Sequence, residues 1–310
     1  MWSLPNPIET RNADYLPRFQ ALCEKFGFKP TWLTNYEMAR SRPFQDLARD
    51  VLKRGTGEVG MHLHAWNNPP LIPLTDDDHR HQPFLREYPA EQVRAKVAFL
   101  TAYLEDAFGV KMTSHRAGRW ALDETYARIL VDHGYLTDCS VTPGVSWKEY
   151  LGNPAGAGGA DYTGFPEAAY FLDLDDIRRP GRSPLLELPM TIREKRGPLG
   201  HWVSDRSRPR FARLRGVGRF FSRTHWLRPV GGNLPAMLDL VAAAERERRP
   251  YLEFMLHSSE LMPGGSPSFA DQAGIEGLYR DLEILFAAIA RGFQGSTLHE
   301  YRQTFTGAAA

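Results

Sequence analysis

From residue 29 onward the chain alternates short apolar stretches, each ending in polar residues, with longer segments striped at helical spacing. That alternation is the strongest restriction on architecture, because it predicts βα units and hence a parallel sheet or barrel. The most informative unit is Glu58-Val59-Gly60-Met61-His62-Leu63-His64-Ala65-Trp66. A strand's period of two sends His62, His64 and Trp66 to one side. The Asn67-Asn68-Pro69-Pro70 run that follows cannot extend a central strand, since proline lacks the amide and asparagine favours turns. Two imidazoles therefore face a loop at a strand's carboxyl end, where ligands bind in sheets with helical crossovers. Neutral imidazole is the commonest nitrogen ligand for transition metals. The competing reading is a hydrogen-bonded histidine pair that ends a strand.

Taken in order, Leu16, Phe19, Leu22, Cys23 and Phe26 predict a first helix closed by Gly27, and Lys29 to Thr34 a strand. A helix through Phe44, Leu47, Ala48, Val51 and Leu52 ends near Gly55 and feeds the histidine strand. Residues 67–88 read as a polar connection, and Val93, Val97, Leu100, Leu104 and Phe108 stripe the next helix. Thr113 to Trp120 is a strand opening into a loop, and Asp123 is the expected N-cap of a helix that Gly134 closes. Strands are then expected at 135–141, 185–191 and 251–257, and helices at 234–249 and 271–291, with a short element near Thr297-Leu298. Residues 144–184 break the rhythm as a loop or small hairpin insertion. We find no linker, so 1–310 reads as a single domain.

Lys+Arg 38 against Asp+Glu 37 gives a formal charge of +1, so no global field draws the protein to nucleic acid. The exception is local: from Arg193 to Arg228 eleven Lys/Arg face two acids. This 193–228 insertion is expected to hold a helix around 207–224. It reads either as a solvated face or as a dock for an anionic glycan or membrane surface. Cys23 and Cys139 lie far apart and form no CxxC pattern, which argues against a disulfide scaffold and a cysteine-rich zinc site. With no membrane-length apolar run and no secretion signal at Met1, the expectation is a soluble, cytoplasmic protein.

Four strand ends thus carry polar residues: His62 with His64, Arg116, Asp138 and His257. In a parallel barrel they would share one mouth. Each alone has a plainer reading, as a salt-bridge partner, a turn cap or a core histidine. Together with Arg116-Ala117-Gly118-Arg119-Trp120, Gly134-Tyr135, Asp138 to Pro143 and Phe254-Met255-Leu256-His257, the pattern resembles the polysaccharide deacetylases of the NodB-homology type, carbohydrate esterase family 4. It looks closest to the branch with an HxHxW motif, associated with surface-polysaccharide genes. The resemblance implies a distorted (β/α) barrel of about seven strands and a hydrolase removing an acetyl group from an N-acetylated glycan. It implies a divalent metal, zinc being the first expectation, held here by His62 and His64, with Arg116 orienting the base and His257 as the acid. Trp66, Trp120 and Asp138 would lie on the substrate side.

One departure is serious. The family's first motif, an apolar strand ending in paired aspartates, has no counterpart in residues 1–10. The barrel is therefore expected to lack its first strand, the general base and the acidic metal ligand. Three explanations stand open: sequence upstream of Met1, a carbohydrate-binding pseudoenzyme without a metal, or substitution by Glu9 or by the Asp76–His81 run.

Overall fold

The computed structural model describes residues 8–81, 83–196 and 222–307. Its sheet has six strands: β1 Thr31–Thr34, β2 Glu58–Leu63, β3 Ser114–Ala117, β4 Thr137–Asp138, β5 Tyr170–Phe171 and β6 Leu186–Glu187. The spatial order is β1-β2-β3-β4-β6-β5, parallel throughout except for β5 against β6. The α/β class with a parallel sheet is thus as the alternation predicts.

Nine helices among the described residues carry the crossovers and termini: α1 Leu16–Lys25, α2 Tyr36–Ala39, α3 Arg42–Arg54, α4 Asp78–His81, α5 Ala90–Phe108, α6 Glu124–Asp132, α7 Leu234–Arg246, α8 Gln272–Ile289 and α9 Leu298–Gly307. Their ends follow from local chemistry. Asp123 accepts the Tyr126 amide at 2.8 Å as the N-cap of α6, and Gly55 leaves α3 at φ 66, a left-handed value glycine adopts without strain. The stripe expected for α5 is realised, with Val97, Leu100 and Leu104 fully buried in a core that also takes Met61 and Leu63 from β2 and Leu282 and Leu285 from α8.

Three expectations are corrected. Tyr251–His257 forms no strand among the described residues. Along one flank its described backbone bonds are Glu253 N to Thr191 Oγ1 and Met255 N to Leu227 O, and the other flank faces an open cavity. A strand needs a neighbour, and the apolar pattern alone does not supply one. For the same reason the described residues show no closure of the distorted barrel of about seven strands: β1 is an edge of the sheet. The described ends of the basic insertion pair as antiparallel strands, β7 Ile192–Arg196 and β8 Ser222–Trp226, so residues 222–224 belong to a strand. The rest of the helix expected at 207–224 lies outside the described residues. The short element near Thr297 is the start of α9. Both cysteines are buried free thiols, and no described helix is long and apolar enough to cross a membrane.

Candidate functional site

A cavity of about 2250 Å³ runs between β1 and the Tyr251–His257 segment, and His62, His64, Trp66, Arg116, Trp120 and His257 all line it. The parallel register explains the convergence. His62 stands opposite Arg116 across β2 and β3, and His62 Nδ1 bonds the Arg116 carbonyl at 2.8 Å. The His62 and His64 rings meet at 4.6 Å between centroids, and His64 lies 4.5 Å from Trp66.

Burial first, and then the neighbouring imidazole, depress the His62 pKa well below its ordinary value. Burial, Arg119 and His257 hold His64 at about 3. Both rings are therefore neutral near pH 7, the form that binds metals. His64 Nδ1 is buried with no hydrogen-bond partner among the described residues. Gly118 allows this packing, since a Cβ there would collide with the Leu63 carbonyl and stand 2.7 Å from His64 Nδ1. The two residues after it, Arg119 and Trp120, hold φ of 55 and 59. Consecutive left-handed non-glycine residues are costly and concentrate at functional sites.

Two imidazoles do not complete a metal centre. No group of three or more His, Cys, Asp or Glu side chains is arranged for an ion among the described residues, whereas catalytic zinc sites take three protein ligands. The donor set among the described residues falls short of the metal the resemblance implies. Neither proposed substitute fills the gap. Glu9 is exposed and paired with Arg11, while Asp78 caps its own loop, accepting the Leu74 and Thr75 amides and the Tyr88 hydroxyl.

Arg116 is anchored by Nε to the Cys139 carbonyl at 3.2 Å and by Nη2 to Glu253 Oε1 at 2.7 Å, with its guanidinium 5.0 Å from the Trp120 ring. Trp120, Trp226 and Trp147 continue as an aromatic wall, with successive centroids 6.1 and 6.2 Å apart. His257 is half-exposed at the rim. Arg228 donates to its Nδ1 at 3.0 Å, and Glu260 Oε2, which accepts the His257 backbone amide at 2.7 Å, lies 3.7 Å from the same ring nitrogen.

Asp138 is placed otherwise than the substrate side expected of it. It is fully buried, bonded to His115 Nδ1 at 2.5 Å and to Ser140 Oγ at 3.0 Å, and His115 Nε2 meets the Tyr126 hydroxyl at 2.6 Å. Burial works to raise the Asp138 pKa, but the hydrogen bond and charge of His115 prevail and hold it low. Burial and that adjacent carboxylate push Glu187 well above its ordinary value, so Glu187 keeps its proton. This network supports the strand ends from behind and has no surface for a ligand.

Sequence reasoning missed Glu253, Arg228 and Glu260. For Glu253 a signal existed: period two in Tyr251–His257 places it on the face of His257.

No family model matches the chain, and no curated protein matches it. Among solved structures, a protein assigned as a polysaccharide deacetylase from Mycobacterium smegmatis superposes over 96% of this chain and 79% of its own, at TM-score 0.53 and 14% identity. A protein assigned as a polysaccharide deacetylase of O-antigen biosynthesis from Bordetella bronchiseptica matches over 56% of this chain and 51% of its own, at TM-score 0.31 and 15% identity. A CE4 family pseudoenzyme from Bacillus anthracis matches over 42% and 40%, at TM-score 0.31 and 16% identity. The first of these likenesses establishes that the chain has the mixed α/β fold found in the polysaccharide deacetylases.

Proposed function

We propose that this protein is a carbohydrate amide hydrolase that removes an acetyl group from an N-acetylated sugar of a surface polysaccharide or its precursor. The observation that supports this reading is the convergence of His62, His64, Arg116 and His257 on the wall of one cavity flanked by Trp66 and Trp120. In this reading the aromatic faces stack against the sugar, the cavity positions the acetamido group, and His257 gives a proton to the leaving amine. A divalent ion on His62 and His64 would need a donor beyond the described residues. The basic 193–228 insertion would add contacts to an anionic glycan or lipid-linked precursor.

The test is acetate release from N-acetylhexosamine oligomers by wild type and by His257→Ala. Loss of a general acid lowers the rate by about 10²–10⁴-fold, and stability should change by no more than about 0.5 kcal/mol because the side chain is half-exposed. No release from any oligomer would sink the proposal. The incomplete donor set favours one alternative, a carbohydrate-binding pseudoenzyme of the same fold. It predicts glycan binding that survives both chelator and His257→Ala, with no acetate formed.

A further inference from the structure

Among the described residues five glutamates line the cavity: Glu9, Glu37, Glu245, Glu253 and Glu300. Glu9 is taken by Arg11, and Glu300 by Lys29 at 2.6 Å, ahead of the amino end of β1 and so far from the histidine strand ends. Glu245 packs against Gly292. Glu37, just past the carboxyl end of β1, accepts from the Asn67 amide at 3.0 Å and has no cation bonded to it among the described contacts. Glu253 differs from all of these. It lines the cavity together with His257, its backbone is fixed by Thr191, and its carboxylate is oriented by Arg116, the neighbour of His62 across the sheet. Its side chain keeps 13% of its surface, which opens on the cavity. An ionised carboxyl accepts about four hydrogen bonds, so those from Arg116 and the Cys139 thiol leave lone pairs for a water.

We infer that Glu253 is the general base of this site, an assignment that rests on the amide-hydrolase reading above. Glu253 takes a proton from a water molecule as the water oxygen bonds to the acyl carbon. The carbon–nitrogen bond then breaks, the leaving nitrogen takes a proton from His257, and acetate and a free amine remain. Arg116 keeps the carboxylate ionised and aimed, and is a positioning residue. Burial raises the Glu253 pKa to about 7 against the pull of Arg116, which suits a base working near neutrality. The charged and titratable groups around it are Arg116, Cys139, Glu187 and Tyr251.

The experiment measures acetate release by the whole chain on N-acetylhexosamine oligomers across about pH 5–9, for wild type, Glu253→Gln, Glu253→Asp and Glu37→Gln. Glu253→Gln should lower kcat by about 10²–10⁴-fold with KM little changed and should erase the acidic limb of the pH profile. Glu253→Asp should recover part of the rate with that limb displaced, and Glu37→Gln should keep the wild-type profile. An active wild type whose kcat and acidic limb survive Glu253→Gln overturns the inference and leaves the hydrolase reading standing. A wild type without acetate release overturns both. Should Glu253→Gln fail to fold by circular dichroism, the wild-type and Glu253→Asp profiles decide, and identical acidic limbs in the two count against it.

Discussion

The Arg116 guanidinium and the Glu253 carboxylate, 137 residues apart in the chain, meet at 2.7 Å with only 11% and 13% of their side chains exposed. Arg116→Met should therefore destabilise the fold by about 3–5 kcal/mol, because it strands a buried carboxylate. Urea denaturation at two pH values checks it. The penalty should shrink in acid, where Glu253 is protonated, and a loss independent of pH would contradict this account.

The same carboxyl sets a pH dependence of stability. Glu253 is raised from 4.5 to about 7, so its contribution is fully present below pH 4.5 and is lost as pH rises through about 7. The slope is about 1.4 kcal/mol per pH unit between those limits. Other groups titrate there too, so the measurement is the difference between wild type and Glu253→Gln. That difference should vary with pH over this window and level off above it.

Asp138→Asn should act on stability and leave glycan affinity alone. The change removes the charge that His115 binds in a fully buried network, at a cost of about 3 kcal/mol or more. Thermal unfolding paired with a glycan-binding isotherm separates the two roles. Weakened binding in a variant of unchanged melting temperature would return Asp138 to the substrate side.

Gly118→Ala probes the packing behind His64. The added methyl meets the Leu63 carbonyl and the His64 ring, so the strand end must shift, at a cost of about 1–3 kcal/mol. The His64 imidazole resonances should move in a nuclear magnetic resonance spectrum while those of His299, on α9, stay in place. Unmoved His64 signals would show that the ring does not rest on Gly118.

Much of this arrangement is legible from residue order because it obeys short-range rules. Asp123 caps α6, Gly55 ends α3, and the two-residue spacing of His62 and His64 puts both on one wall. What escapes such rules is pairing at long range. Nothing near Asp138 announces His115 as its partner, and nothing near Arg116 announces Glu253. Tyr251–His257 shows the converse failure, because its alternation is that of a strand but no neighbouring strand among the described residues completes a ladder.

That open flank also bears on how the protein can deform. The two walls of the cavity, β1 and Tyr251–His257, share no backbone ladder among the described residues, so they can part without breaking a strand-to-strand hydrogen bond. Compliance is therefore concentrated along one seam at the β1 edge, one strand away from the β2–β3 ladder that carries His62 and Arg116. The seam can widen while the histidine wall keeps its shape.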